Sequence, residues 1–159
     1  MTAEIAIDRA QAEDAPAVAA LVGELLAEIM NTIGVAAFNF NLQETTERLA
    51  SYLANEKYFV FVARSDGGKP IAFVALNECH ALYAEGAFGT ITELYVRPEY
   101  RTRKLGMRLV NEAKAFGAAR GWKRLEVTTP PLPQFDRTLE FYEREGFAIA
   151  GGRKLRVLL

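Results

Sequence analysis

The stretch "VRPEYRTRKLGMRLV", Val96 to Val110, gathers five cations, Arg97, Arg101, Arg103, Lys104 and Arg108, where a strand gives way to a helix. A helix N-terminus carries roughly half a positive elementary charge, which favours acidic residues there and disfavours basic ones. Free N–H groups at such a start make a ready anion site, and Arg and Lys strengthen it through charge-assisted hydrogen bonds. Gly106 has no Cβ, so a ligand can approach the backbone closely. The cluster therefore reads as a seat for a multiply charged anion, phosphate above all. A solvated basic face on a surface helix has the same composition, and both readings stay open on these residues alone.

Upstream, Ile5 and Ile7 alternate with polar neighbours as a short strand would. Asp14 before Pro16 predicts a helix start with the carboxylate as N-cap. Val18, Leu21, Val22, Leu25, Leu26 and Ile29 follow at helical spacing. "NTIGVAAFNF", Asn31 to Phe40, is aperiodic and reads as a loop. Asn41 with Glu44 opens a second helix whose apolar face is Leu42, Thr45, Leu49 and Leu53. "YFVFVAR", Tyr58 to Arg64, is a buried strand; "SDGGKP" is a turn and "IAFVALNE" its partner strand. "HALYAEGAF" reads as a longer connection, and "GTITELYV" ends the next strand at Val96.

Downstream, Leu109, Val110, Ala113, Phe116 and Gly117 form a helical stripe that Gly121 ends. "RLEVTT" is a strand, "PPLP" a rigid break, and Phe135, Thr138, Leu139, Phe141 and Tyr142 lie along a last helix stopped by Gly146. "FAIA", "GG" and "RKLRVLL" predict a closing hairpin. The sum is one mixed α/β domain over 1–159, with a mostly antiparallel sheet of about seven strands and about four helices.

The totals suit a soluble globular domain: 159 residues, half of them hydrophobic, and a net charge of -1 from 19 basic and 20 acidic side chains. That balance points to no nucleic acid and no membrane surface. No apolar run approaches the about 20 residues that span a bilayer, and no secretory signal opens the chain. The single cysteine, Cys79, excludes an internal disulfide framework and fits a reducing interior, so the expected location is cytoplasmic. Cys79 and its neighbour His80 point to opposite faces of a strand and so make no nucleophile–base pair. His80 lacks partners at ligand spacing, so no metal is expected.

"YVRPEYRTRKLGMRLV" resembles the signature segment of the GNAT superfamily of N-acetyltransferases, with its V-x-P-E-x-R-like stretch and [Gln/Arg]-x-x-Gly-x-[Gly/Ala] helix start. Arg101 matches the first position and Gly106 the last, while Lys104 stands where the family has its first glycine. "RTLEFYEREGF" is similar to the family's later motif through Tyr142, Gly146 and Phe147. There Phe135 replaces a frequent Asn and Thr138 a usual Ala.

The resemblance implies acetyl-CoA as donor and a primary amine as acceptor. It implies that the amides of Arg101, Thr102, Arg103, Lys104, Leu105, Gly106 and Met107 hold the pyrophosphate. The pantetheine arm would pair with the strand edge at Leu94, Tyr95 and Val96. A lysine-like amine must lose a proton before it attacks, and Glu93 or a water relay is the candidate base. A backbone N–H near Leu94 to Val96 would meet the oxyanion. Tyr142 is the candidate acid for the departing thiolate. In similar proteins the two loops wall the acceptor pocket, which nominates Phe38, Phe40 and Tyr83 for a small or partly apolar amine.

Three alternatives stand beside this. The chain could be a peptide or protein N-acetyltransferase, a non-catalytic acyl-CoA-binding regulatory module, or an interaction domain whose basic helix end meets an acidic protein. A homodimer is compatible with the sequence, which marks no interface.

Overall fold

The structure is a computed structural model describing residues 5–159. Its chain forms two compact units, one reaching Thr128 and the other Thr129–Leu159. The first holds β1 (Ala6–Arg9), α1 (Ala15–Ile33), α2 (Leu42–Ala54), β2 (Phe59–Arg64), β3 (Pro70–Ala81), β4 (Gly86–Val96), α3 (Leu105–Arg120) and β5 (Leu125–Val127). The strands lie in the order β1-β2-β3-β4-β5.

In β2, Val60 and Val62 alternate with Phe59 and Phe61, so the two pairs leave the sheet on opposite faces. Val60 and Val62 join Phe73, Ala75 and Tyr95 under Val18 and Leu21 of α1 and Leu49 of α2. Phe59 and Phe61 meet Phe116 of α3, at ring separations of 4.8 and 5.7 Å. The sheet is therefore covered on both faces, which is why its inner strands read as near-continuous apolar runs.

Strands β1 to β4 pair antiparallel in sequence order, whereas β4 and β5 are parallel over Gly89↔Leu125 to Ile91↔Val127. Five strands in a mixed sheet thus correct the expectation of about seven, mostly antiparallel. The parallel pair follows from α3, a crossover helix that returns the chain to the end where β4 began. The missing strands are those of the closing hairpin: Phe147 to Leu159 form none. A lone two-stranded hairpin is marginal in water, and Gly151 and Gly152 raise the entropy lost on ordering it.

The helix ends bear out some cues and revise others. Asn41 Oδ1 accepts the Glu44 N–H at 2.9 Å, and Gly121, at φ 83°, ends α3. Asp14 does not cap α1. A 3-10 turn over Ala12–Asp14 already sets its backbone helical, and its carboxylate instead binds Arg64 at 2.9 Å and accepts the Gln11 N–H at 2.8 Å. The guanidinium holds that carboxyl below its ordinary range. Helix α1 absorbs Asn31 to Ile33 from the expected loop, and Leu42 is half exposed. "HALYAEGAF" is no long connection: β3 and β4 run on through it to a 3-10 turn at Leu82–Ala84.

Ala12–Ile33 is, by length and composition alone, apolar enough to cross a membrane, which corrects the expectation that no segment approaches that length. Its Val18 and Leu21 are buried in the sheet-facing core, and its Glu24 and Glu28 form ion pairs with Arg97 and Arg101.

The second unit carries α4 (Asp136–Arg144), whose Tyr142 ring packs edge-on against Phe141 at 5.1 Å and Phe147 at 5.4 Å. Gly146, at φ 98°, follows its end.

Trp122 shows how closely α3 fits the sheet. Its Nε1–H donates to Glu78 Oε2 at 2.7 Å, and its ring lies where a Cβ on Gly89 or Gly117 would be. At Gly117 the gap would be 2.6 Å. Gly89→Ala should therefore destabilise the fold by about 1–3 kcal/mol, the usual cost of overpacking. Urea unfolding followed by the Trp122 fluorescence checks this, and an unchanged midpoint would contradict the packing.

Candidate active site

Strand β4 is the spine of the site. Its pairing with β3 slips by one residue, from Ala75↔Glu93 to Leu76↔Ile91, so Thr92 is an extra residue in a bulge. A bulge bends its strand and re-aims the neighbouring side chain. Beside this one, Glu93 receives a hydrogen bond from the Tyr58 hydroxyl at 3.2 Å. Its Oε2 is buried with no partner among the described residues. Loss of water raises the Glu93 carboxyl above its ordinary range, with the Thr92 hydroxyl and then the Tyr58 hydroxyl pulling the other way.

The parallel pairing with β5 stops at Ile91, so Leu94, Tyr95 and Val96 have a strand partner on the β3 side only, among the described residues. Tyr95 is buried, and its hydroxyl donates to Glu24 Oε1 at 3.3 Å. Burial first, then the negative charges of Glu24 and Glu28, push that phenol up to about 12. The Val96 carbonyl accepts Arg101 Nε–H at 2.8 Å.

The five cations divide by task. Arg97 pairs with Glu24 at 2.9 Å, and Arg101 with Glu28 at 2.7 Å. Arg108 donates to the Ile5 carbonyl at 2.8 Å. These three are held by the protein itself. Arg103 lies over the Tyr100 ring at 5.2 Å, leaving Arg103 and Lys104 without a carboxylate partner among the described residues. Much of the positive charge crowded here is thus answered by α1, whose acidic residues stand four apart, as Arg97 and Arg101 do.

Between β4 and α3 the backbone turns sharply. Thr102 has φ 71° and Lys104 φ 60°, both left-handed, a conformation that suits glycine. The first α-helical bond runs from Arg108 N–H to Lys104 O at 3.1 Å, so the amides of Leu105, Gly106 and Met107 precede it, as at any helix start. The Arg101 amide donates to the Pro98 carbonyl at 3.2 Å, which takes it out of the expected set, whereas the amides of Thr102, Arg103 and Lys104 have no partner among the described residues. Successive N–H groups in such a turn form a concave nest for anions.

The remaining candidates lie elsewhere. Phe38 and Phe40 are 40% and 38% exposed. Phe40 lies on α1, with Cε1 2.6 Å from where a Gly23 Cβ would stand. Tyr83, 77% exposed, sits at the β3–β4 turn with Arg124 over its ring at 5.1 Å. From Gly86 to Glu93 the strand covers roughly 20 Å, so Tyr83 is remote from Glu93. Tyr142 is buried in the second unit, and burial raises its phenol. Cys79 Sγ lies by Asn77 and Thr90, while His80 faces Glu78 at 3.5 Å, so the two adjacent residues make no pair. Among the described residues no three His, Cys, Asp or Glu gather as a metal site.

Sequence reasoning missed Tyr58, Glu24 and Glu28. The matched four-residue spacing of the two glutamates and two arginines was a usable signal; for Tyr58 there was none.

The family model for GNAT acetyltransferases matches residues 25–147, and the chain belongs to that family. No curated protein matches. Among solved structures, an aminoglycoside acetyltransferase from an uncultured soil metagenomic sample is 19% identical over 98% of this chain and 96% of its own, with TM-score 0.77. A ribosomal-protein-alanine N-acetyltransferase from Brucella melitensis biovar Abortus 2308 is 18% identical over 98% and 100%, with TM-score 0.73. A predicted acetyltransferase from Clostridium acetobutylicum, solved with acetyl-CoA, is 16% identical over 96% of each, with TM-score 0.78. At these identities the likeness is one of fold.

Lys104→Gly should stabilise the protein by about 0.5–1 kcal/mol, the left-handed cost of about 1–2 kcal/mol less the entropy a glycine adds to the unfolded chain. Urea unfolding measures it. A destabilised variant would mean that the Lys104 side chain holds the turn together.

Proposed function

We propose that the chain is an acetyl-CoA-dependent N-acetyltransferase that moves the acetyl group directly to a primary amine of a small molecule. The observation that carries this reading is the left-handed turn Thr102–Lys104, whose unpartnered amides adjoin the free edge of β4. The amides of Thr102 to Met107 receive the diphosphate, and Arg103 and Lys104 supply mobile charge. Leu94 to Val96 offer backbone groups to an extended pantetheine arm. Arg101 must leave the Val96 carbonyl for full pairing. Its bond to Glu28 is a half-exposed ion pair, a class worth about 0–1 kcal/mol, so release is cheap.

Glu93, directly or through a water, takes a proton from the ammonium form of the acceptor. The freed nitrogen lone pair bonds to the thioester carbonyl carbon, a backbone N–H near Leu94 to Val96 meets the oxygen, and the C–S bond breaks. Tyr142 gives its proton to the thiolate, and the second proton that the attacking nitrogen sheds as the amide forms restores the phenol. Burial keeps that phenol protonated at working pH, as an acid must be. It also raises the cost of the transfer above the about 2 kcal/mol that the reference values of phenol and thiol imply.

Phe38 and Phe40 give the acceptor an aromatic wall, with Tyr83 bounding only a large acceptor. Glu78, a carboxylate that could have drawn a polycation, already serves Trp122 and Arg120. That favours a compact, partly apolar amine over an aminoglycoside, although one structural neighbour is an aminoglycoside acetyltransferase solved with sisomicin. The ribosomal-protein-alanine neighbour keeps peptide amines in the test panel.

Thiol release from acetyl-CoA across a panel of amines tests the reading. Turnover with at least one amine is expected, and Tyr142→Phe should lower kcat by about a hundredfold with little change in coenzyme Kd. Coenzyme binding without turnover on any amine would make the chain an acyl-CoA-binding module instead. Full turnover in the variant would remove Tyr142 from the reaction.

A further inference from the structure

Tyr58 and Glu93 are 35 residues apart and meet only because of the β4 bulge. Tyr58 sits two residues before Val60 and four before Val62. It shares their face of the sheet and packs against the core beneath α1 and α2. The extra residue at Thr92 sets Glu93 opposite Ala75 and within 3.2 Å of the Tyr58 hydroxyl. The Thr92 hydroxyl also helps to hold the Glu93 carboxyl down, but its hydrogen-bond geometry is to the Ala75 carbonyl, at 3.3 Å. That leaves Tyr58 as the geometric donor to Glu93 Oε1, and Oε2 as the unclaimed, buried acceptor of the pair.

We propose that Tyr58 is the positioning residue of the acetyl-transfer base: its hydroxyl fixes Glu93 through Oε1 and leaves Oε2 to take the proton of the acceptor ammonium, directly or through one water. This rests on the reading of Glu93 as that base. A carboxyl shut away from water holds its proton too tightly unless something stabilises the anion, and a single strong donor does so. Tyr58 can serve throughout, because burial and the neighbouring carboxylate raise its own phenol far beyond neutral pH. The other titratable groups of this layer do not replace it. Tyr52 of α2 stacks on Tyr58 at 5.1 Å without bonding Glu93, and Tyr95 spends its hydroxyl on Glu24. Leu21 and Leu49 of the two helices, with Leu53 beside them, are apolar.

Tyr58→Phe keeps the ring and removes the donor. Carbon-13 carboxyl NMR of glutamate-labelled protein, with the Glu93 signal assigned by its loss in Glu93→Gln, reads the coupling without any substrate. The Glu93 midpoint should move to higher pH in Tyr58→Phe, since the anion has lost its donor. In turnover assays the acid limb of kcat/KM should move the same way. The loss is about tenfold at the acid end and recovers as pH rises, with coenzyme Kd unchanged. Glu93→Gln, which keeps the Tyr58 ring in place, should abolish that limb. An unmoved NMR midpoint, or an acid limb surviving in Glu93→Gln, overturns the inference. Wild-type protein that releases no thiol with any amine overturns the acetyl-transfer reading and with it the base, even where the NMR midpoint has moved.

Discussion

Two residues with side chains, Thr102 and Lys104, are held in left-handed backbone conformations within one turn, and the proposed site is built on that turn. A strand leaving the sheet at Val96 could continue in many ways. A left-handed bend at each of these positions leaves successive amides without a partner among the described residues at the start of α3. Such a conformation costs about 1–2 kcal/mol for a non-glycine residue. It persists only where the surroundings over-determine it, and residues of this kind cluster where ligands bind. Leu105, Leu109 and Val110 supply the determination, since all three are buried and fix the first turns of α3 on the sheet.

The charges around this turn have two functions that the sequence merges. Arg97 and Arg101 join β4 and its loop to Glu24 and Glu28 of α1, and Arg108 reaches the backbone at Ile5. These contacts set where α1 lies relative to the end of β4. Of these five cations, only Arg103 and Lys104 are without an ion pair or backbone hydrogen bond among the described residues and remain for an anion, beside the main-chain amides. On the proposed reading, recognition rests more on oriented peptide groups than on the number of cations. That suits a diphosphate, whose oxygens can each accept N–H bonds in a fixed geometry.

Much of this could be read from the sequence. Short-range rules placed the ends of α2 and α3, because Asn41, Glu44 and Gly121 act within one helical turn. The aromatic and β-branched run "YFVFVAR" marked β2 as a buried strand. The helix-start motif gave the family, and Lys104 in place of glycine marked the position that proves to be left-handed. What stayed hidden depends on distant partners. No pattern announces a bulge at Thr92, so the pairing of Glu93 with Tyr58 was out of reach. Asp14 looked like a cap because its rival partner, Arg64, lies fifty residues on. The closing hairpin rests on two short runs about a Gly-Gly turn, and a turn signal does not provide a neighbouring strand.

The central claim is that the main chain between β4 and α3 grips a diphosphate. A crystal structure of the protein with coenzyme A tests it most directly. The account predicts diphosphate oxygens within hydrogen-bonding distance of amides between Thr102 and Met107, with the Arg101 guanidinium displaced from the Val96 carbonyl. Coenzyme bound elsewhere, with Arg101 still seated on Val96 and Glu28, would contradict it.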